Sequence, residues 1–365
     1  MITKPKHLYL HVPFCRTICT YCDFCHVGYQ ETVAEQWLEA ITTDIQNRHL
    51  NENLVTIYIG GGTPTALSSS ELDQLLSLLV PYARMVQEYT IEINPETFDE
   101  DKAKILQKHG VNRASIGFQT SDEKLLQMMN RHHRLEDVAE TMRLLRKYGI
   151  DNISLDLMYS LPTQTMESLE KSLQDAIALE PTHLSLYSLT IEPNTVFAKK
   201  GYEHLEDDIE ADMYEWICNF LPKYGFVQYE ISNFAKENMI SIHNCAYWNY
   251  QDFYGIGCGA SGLEGSIRYD IPKNVKKYIE DSSIKDTIEL TLQEQMFEAV
   301  MMGLRLKEGM NIQLFEDRFH TSVFEVYRAQ INKLCHEGKL ELGGNCLRCS
   351  EEGFAILNSI LLEFM

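Results

Sequence analysis

Up to about residue 200, short runs rich in β-branched and aromatic side chains alternate with longer segments in which apolar residues recur at helical spacing. That alternation constrains the fold more than any other feature, because repeated βα units bury their apolar faces by winding a parallel sheet under a layer of helices. Strands are expected at His7 to Val12, Val55 to Ile59, Tyr89 to Ile93, Arg113 to Phe118, Asn152 to Met158 and His183 to Leu189. Helices are expected at Thr32 to His49, Ser69 to Arg84, Asp99 to His109, Leu135 to Tyr148 and Thr165 to Leu179. Several begin at a Ser, Thr or Asp able to cap the first turn. Six strands fall short of the closed eight-strand barrel, so the expected fold class is α/β, an open, partial (βα)6 barrel of TIM type.

Beyond residue 200 the pattern changes. A helix from Asp208 to Leu221 leads into the aromatic, polar stretch Tyr229 to Gly262, and helices follow near Thr291 to Leu306 and Ser322 to Cys335. Lys339 to Asn345 followed by Leu347 to Ser350 reads as a hairpin ahead of a last helix from Glu352 to Phe364. Helices followed by a hairpin suggest a small winged-helix-like domain. The expected division is residues 1–236 for the barrel and 237–365 for the C-terminal domain.

The chain has 365 residues, 44% of them hydrophobic and 23% charged, enough for one large domain and a smaller one. A formal charge of -21 argues against a nucleic-acid partner, whose phosphates are held by clustered Lys and Arg. For the same reason an anionic ligand needs a local basic or metal-ligating site. No apolar run approaches the roughly 20 residues of a membrane helix, and Met1-Ile2-Thr3-Lys4-Pro5-Lys6 lacks the apolar core of a secretory signal. A cytoplasmic protein is expected, and ten cysteines in that setting point to metal or catalysis before disulfides.

Three of those cysteines lie in Cys15-Arg16-Thr17-Ile18-Cys19-Thr20-Tyr21-Cys22, directly after the first strand. Three thiolates can hold three irons of a cubane iron-sulfur cluster and leave the fourth iron open to a ligand that is not protein. Zinc is the competing metal, although a structural zinc site asks for four ligands in a closed shell. Other polar residues fall at the C-terminal ends of the expected strands, where barrel active sites form. Gly60-Gly61-Gly62-Thr63-Pro64-Thr65 follows the second strand, and its free N–H groups could bind a carboxylate-bearing fragment. Glu92 and Asn94 lie near the end of the third, Gln119 just past the fourth and Asp156 within the fifth. The plainer readings are a tight turn for the glycines and a satisfied buried carboxylate for Asp156.

The Cys-x3-Cys-x2-Cys loop after a first strand resembles the radical S-adenosylmethionine (SAM) superfamily. Further motifs narrow the likeness: Tyr9-x-His11-Val12-Pro13-Phe14-Cys15, Tyr58 to Thr65, Gly117-Phe118-Gln119 and Asp156-Leu157-Met158-Tyr159-x-Leu161-Pro162 look like the oxygen-independent coproporphyrinogen III oxidase group. The resemblance implies a radical SAM barrel in which Cys15, Cys19 and Cys22 hold a [4Fe-4S] cluster and SAM chelates the open iron. It further implies that Tyr9 flanks SAM, that Gly61, Gly62 and Thr63 meet its methionine part, and that Glu92 lies near the amino group. Gln119 and Asp156 would bind the ribose hydroxyls. Arg131 would pair with the carboxylate, as its planar fork allows; an ordinary surface charge is the plainer reading.

Within this group an oxidase that decarboxylates propionates of coproporphyrinogen III competes with the HemW-like haem chaperones, which bind and deliver haem. The oxidases carry a fourth cysteine two residues past the third cluster ligand; here that residue is Phe24, the form seen in HemW-like proteins. The sequence His243-Asn244-x-x-Tyr247-Trp248 matches a motif associated with haem binding in the same proteins. Imidazole is an axial haem ligand, which makes His243 the candidate and Cys245 its rival. A hydrogen-bonded histidine packing a domain junction is the plainer reading. A haem chaperone that delivers to recipient proteins is therefore the expectation, with the oxidase as alternative. Cys25 and the pair Cys346 and Cys349 read as packed or incidental thiols.

Overall fold

A computed structural model describes residues 4–365; Met1 to Thr3, on which part of the signal-sequence reading rests, lie outside the described residues. Six strands, β1 (His7–Val12), β2 (Thr56–Gly61), β3 (Glu88–Ile93), β4 (Arg113–Gln119), β5 (Asn152–Tyr159) and β6 (His183–Ser188), pair side by side in chain order, all parallel. Helices Glu31–Asn47, Ser69–Leu79, Glu100–Lys108, Leu135–Lys147 and Met166–Ala178 connect them. The helix expected to reach Arg84 stops at Leu79 because Pro81 has no N–H to continue the ladder.

Each strand has two chemically different faces. Tyr89, Ile91 and Ile93, Ala114, Ile116 and Phe118, then Ile153, Leu155 and Leu157 all enter the main apolar core. The alternate positions are polar or small, and the register sets them side by side: Glu92 faces Ser115, Ser115 faces Ser154, Gly117 faces Asp156, and Asp156 faces Ser185. With a side-chain period of two, one face of the sheet is therefore polar. Parallel sheets covered on both sides normally read as continuous apolar runs, so this polar face marks the side that receives a ligand.

The sheet does not end with these six strands. Next to β6 lie β8 (Asn233–Ala235) and then β7 (Val227–Gln228), both joined antiparallel. On the other side of β1, β9 (Phe253–Ile256) joins parallel, followed by the antiparallel β10 (Ser261–Glu264), β11 (Ile267–Asp270) and β12 (Asp286–Glu289). Segments on both sides of the 236/237 boundary thus build one 12-stranded sheet. A second apolar core gathers Tyr250 and Leu263 with residues from Leu290 onward.

That C-terminal part has helices Leu292–Gly303, Ile312–Phe319, Val323–Val326 and Arg328–His336, then strands Leu340–Gly343 and Cys346–Cys349 in a hairpin to which Met310–Asn311 adds a third strand. Helices followed by a hairpin are the expected arrangement. The single helix expected from Ser322 to Cys335 divides at Tyr327 (φ -122, ψ 28), whose ring packs edge-on to Phe364 at 5.3 Å. The last helix likewise divides at Ile356. Among the described residues no helix is long and apolar enough to cross a membrane.

Candidate functional site

The polar face of the sheet and the loops at its C-terminal edge enclose a cavity of about 450 Å³, within the usual range for small-molecule sites. It brings together Cys15, Cys19, Cys22, Gly61, Gly62, Thr63, Glu92, Gln119, Arg131 and Asp156. Tyr9 and His243 line a second, adjoining cavity of about 800 Å³ instead.

Cys15 ends a two-residue strand, Phe14–Cys15, paired with Val27–Gly28, which closes the base of the cysteine loop. The loop is also tied to the segment preceding Arg131: Thr20 N–H donates to Met129 O at 3.1 Å and Asn130 Nδ2 to Ile18 O at 2.8 Å. Burial pushes the Cys15 thiol up to about 11 and Cys22 up to about 12, with the neighbouring thiols adding to the effect. These thiols stay neutral near pH 7 unless a bound cation ionises them, which is what metal coordination does. Among the described residues no three His, Cys, Asp or Glu side chains converge on a point that would hold a single metal ion. A cubane asks for a different layout, one thiolate for each of three irons, and Cys15, Cys19 and Cys22 line one cavity together.

The glycines are needed for close approach. A Cβ on Gly62 would sit 2.9 Å from Phe14 O and 3.1 Å from Cys15 Sγ. Gly61 has φ +117, and a Cβ there would meet the His11 ring at 2.6 Å. Thr63 Oγ1 donates to Cys15 Sγ at 3.7 Å, long but within sulfur range.

Glu92 accepts from Tyr58 O–H at 2.9 Å and from Gly61 N–H at 3.0 Å. Burial, with the charge of Asp156 adding to it, raises its carboxyl to about 7 despite those donors. Asp156 is also raised by burial, while Ser115 Oγ donates to both of its oxygens, at 2.9 and 3.0 Å. Gln119 sits at φ 62 beside a register shift in the β4–β5 pairing. Gly117 leaves the room above it: a Cβ there would lie 3.0 Å from Gln119 Nε2 and 3.1 Å from Arg131 Nη2. The Arg131 Nε is buried with no hydrogen-bond partner among the described residues. Arg131 lines the cavity, and a guanidinium there with a donor still unpartnered suits a ligand carboxylate, so the residues present fit both the cluster and SAM.

Of the residues that join the two cavities, the sequence singled out Gly61, Glu92 and Phe24, but showed Tyr58 only as part of a motif and gave no sign that they join two spaces. Tyr58, Gly61, Glu92 and Phe24 line both. The Tyr58 ring stacks on His243 with centroids 5.1 Å apart, and Phe24 is 62% exposed. Tyr58, which opens the Tyr58-to-Thr65 motif, had a sequence signal in its period-two alignment with the polar face; Glu88 shares the parity of Glu92 but lies one residue before the strand expected from Tyr89. Glu88 accepts from Ser241 O–H and from the N–H groups of Ile242 and His243, anchoring the helix Ile242–Trp248 at its start.

His243 is buried, and both ring nitrogens are engaged: Nδ1 with Thr56 Oγ1 at 2.7 Å and Nε2 with Tyr247 O–H at 2.7 Å. Burial drives its pKa well below the ordinary value, so the ring is neutral. The polar chain continues from Thr56 to His7 Nδ1 at 2.8 Å and from His7 Nε2 to the Gln251 side-chain oxygen at 2.7 Å. With that oxygen as the terminal acceptor, His7 carries its proton on Nε2, Thr56 donates to His7, and His243 donates from Nδ1 to Thr56. The lone pair of His243 then sits on Nε2, where Tyr247 donates to it.

The sequence matches the Radical SAM superfamily over residues 9–176 and the HemN C-terminal domain over residues 290–356. Proteins named "Heme chaperone HemW" are similar to it along their whole length. The one from Lactococcus lactis is 35% identical, covering 100% of this chain and 98% of the relative, and the one from Bacillus subtilis is 36% identical, covering 99% of each. That of Escherichia coli is 33% identical, covering 99% and 98%. Among solved structures, coproporphyrinogen III oxidase (HemN) from Escherichia coli superposes with a TM-score of 0.84 at 22% identity, over 99% of this chain and 90% of that one. That likeness fixes the fold, while the full-length sequence matches fix the branch: the chain belongs to the HemW-like family of the radical SAM superfamily.

Proposed function

We propose that this protein is a haem chaperone that carries a [4Fe-4S] cluster and SAM in the first cavity, takes haem into the second and passes it to recipient proteins. The observation that carries the reading is the shared wall. Phe24 replaces the cysteine expected of an oxidase and lies exposed at the junction of both cavities, an apolar surface that a macrocycle would cover. Cys15, Cys19 and Cys22 would ligate the cluster. Gly61, Gly62 and Thr63 would receive the methionine part of SAM, Glu92 its amino group, Arg131 its carboxylate, and Gln119 and Asp156 its ribose. When reduced, such a cluster supplies the electron that cleaves SAM to a carbon radical.

In the second cavity Tyr9, Tyr247 and Trp248 offer aromatic walls and Lys273 a cation for an acidic ligand, while Arg268 is already paired at two points with Glu298. Haem would be held through His243, whose Nδ1 proton is committed to Thr56; the partner of a ligating histidine fixes its tautomer in this way. Coordination needs Tyr247 to withdraw its hydroxyl from Nε2. Cys245 is the second candidate, and burial pushes its thiol up to about 12, which disfavours the thiolate.

The test is anaerobic reconstitution of the cluster, haem titration by absorbance, and a turnover assay with coproporphyrinogen III. Haem binding without conversion is expected, and stoichiometric formation of protoporphyrinogen IX would establish the oxidase instead. Loss of the haem spectrum in His243→Ala with iron content intact is expected; an unchanged spectrum removes His243 as ligand.

A further inference from the structure

We propose that Cys25 and Cys258 are a redox-active dithiol that closes to a disulfide and staples the cysteine loop to segment 257–260. Their sulfurs are 3.0 Å apart, inside the contact distance of two non-bonded sulfurs, although 233 residues separate them in sequence. A disulfide bond is about 2.05 Å long, so closure needs roughly 1 Å of movement. The two loops are built to meet there. A Cβ on Gly259 (φ +84) would fall 2.4 Å from Cys25 Cβ, and one on Gly257 (φ +93) would fall 2.5 Å from His11 O. Lys273 Nζ donates to Asp23 O at 3.3 Å, and His11 Nε2 donates to Cys25 O at 2.8 Å.

A shared metal ion does not account for the pair. Two thiolates on one tetrahedral zinc, each about 2.3 Å from it, sit about 3.8 Å apart, and no third ligand converges here among the described residues. The two thiols also differ in access: Cys258 is fully buried and its S–H reaches Pro272 O at 3.3 Å, whereas Cys25 lines the second cavity. Cys25 is therefore the thiol an oxidant reaches first, and the nucleophile.

With a small disulfide such as oxidised glutathione as oxidant, the Cys25 thiolate attacks one sulfur and releases one glutathione thiolate. Cys258 gives its proton to that thiolate, attacks the Cys25 sulfur and releases the second glutathione. Two protein thiols lose two electrons, and one small disulfide becomes two thiols. Cys22, the last of the three cluster cysteines, lies three residues before Cys25, so the new bond holds that end of the loop and slows loss of iron.

The experiment uses the full chain, reconstituted anaerobically, treated with oxidised glutathione, alkylated and digested. A peptide joining Cys25 to Cys258 is expected, with two fewer alkylated thiols; both cysteines alkylated after treatment would overturn the dithiol. In Cys258→Ser the cross-link should vanish while Cys25 carries glutathione. Should that variant not fold, the reduced and oxidised wild-type protein suffice. Release of iron to a chelator should be at least threefold slower in the oxidised form, and equal rates would overturn the staple. The peptide map does not depend on the haem or cluster reading, and the starting iron content reports failure of the latter separately.

Discussion

Replacing Glu92 by Gln in the metal-free protein should raise its stability clearly at pH 8 and much less at pH 5. Burial, then the charge of Asp156, lifts the Glu92 carboxyl from 4.5 to about 7. A carboxylate raised in this way contributes its full stability below the unfolded value, and that contribution is lost as pH climbs through the folded one. The gap corresponds to about 3 kcal/mol at full ionisation; water in the open cavity screens it, leaving roughly 1–2 kcal/mol. Gln keeps both contacts, its amide oxygen accepting from Gly61 N–H and its NH2 donating to the Tyr58 oxygen in place of the present bonds. Urea unfolding of both proteins with thiols reduced, at pH 5 and pH 8, isolates by difference Glu92 and its coupling to Asp156 from the remaining titrating groups. An equal difference at the two pH values, or a variant less stable at pH 8, would refute the reasoning. The same substitution should weaken SAM binding to cluster-loaded protein, because a neutral amide cannot pair with an ammonium group.

Gly62→Ala must displace backbone, since its Cβ would meet Phe14 O at 2.9 Å and Phe14 N at 3.1 Å. A cost of about 1–3 kcal/mol in thermal unfolding and lowered iron after reconstitution are expected, whereas Gly28→Ala, with nothing within 4 Å of its Cβ, should retain full iron. Arg131→Lys removes the planar fork while keeping the charge, and SAM affinity by calorimetry should fall about tenfold or more, the scale of one charge-assisted hydrogen bond; unchanged affinity removes Arg131 from the carboxylate site. Tyr247→Phe deletes the hydroxyl on His243 Nε2, so the haem spectrum should saturate at lower haem concentration, and an unaltered titration would count against His243 as ligand.

The barrel half was legible in the sequence because each of its elements is decided locally. Strand runs such as Arg113 to Phe118 and Asn152 to Met158 differ from the observed β4 and β5 by one residue at one end, since burial on the helix side imposes an unbroken series of apolar alternate positions. Where that logic failed, a single backbone fact decided: Pro81 ended one helix and Tyr327 divided another. The stretch from Tyr229 to Gly262 was opaque because its strands are three or four residues long and no hairpin turn announces them. Strands that short carry no readable period and are held by their neighbours, β9 by β1 and β12 by β11.

The same division explains the site. Of the ten expected residues that line the first cavity, nine follow from the cysteine spacing, strand ends and a glycine turn, features that each segment displays by itself, and Arg131 follows only from the family resemblance. The second cavity exists only because β9, from residue 253, pairs with β1 instead of leaving that edge of the sheet open. That pairing turns the aromatic stretch onto β1 and β2, setting Tyr247 and Phe253 opposite Tyr9 and Tyr58, and it brings Cys258 to Cys25. No local pattern encodes contacts of such separation. Tyr58 nevertheless faces both spaces, hydrogen-bonded to Glu92 on one side and stacked on His243 on the other. A change in the charge of Glu92 therefore reaches the His243 ring through one side chain. If the first cavity governs what the second one binds, Tyr58→Phe should uncouple the two, leaving haem affinity indifferent to the presence of SAM; a persisting effect of SAM in that variant would place the link elsewhere.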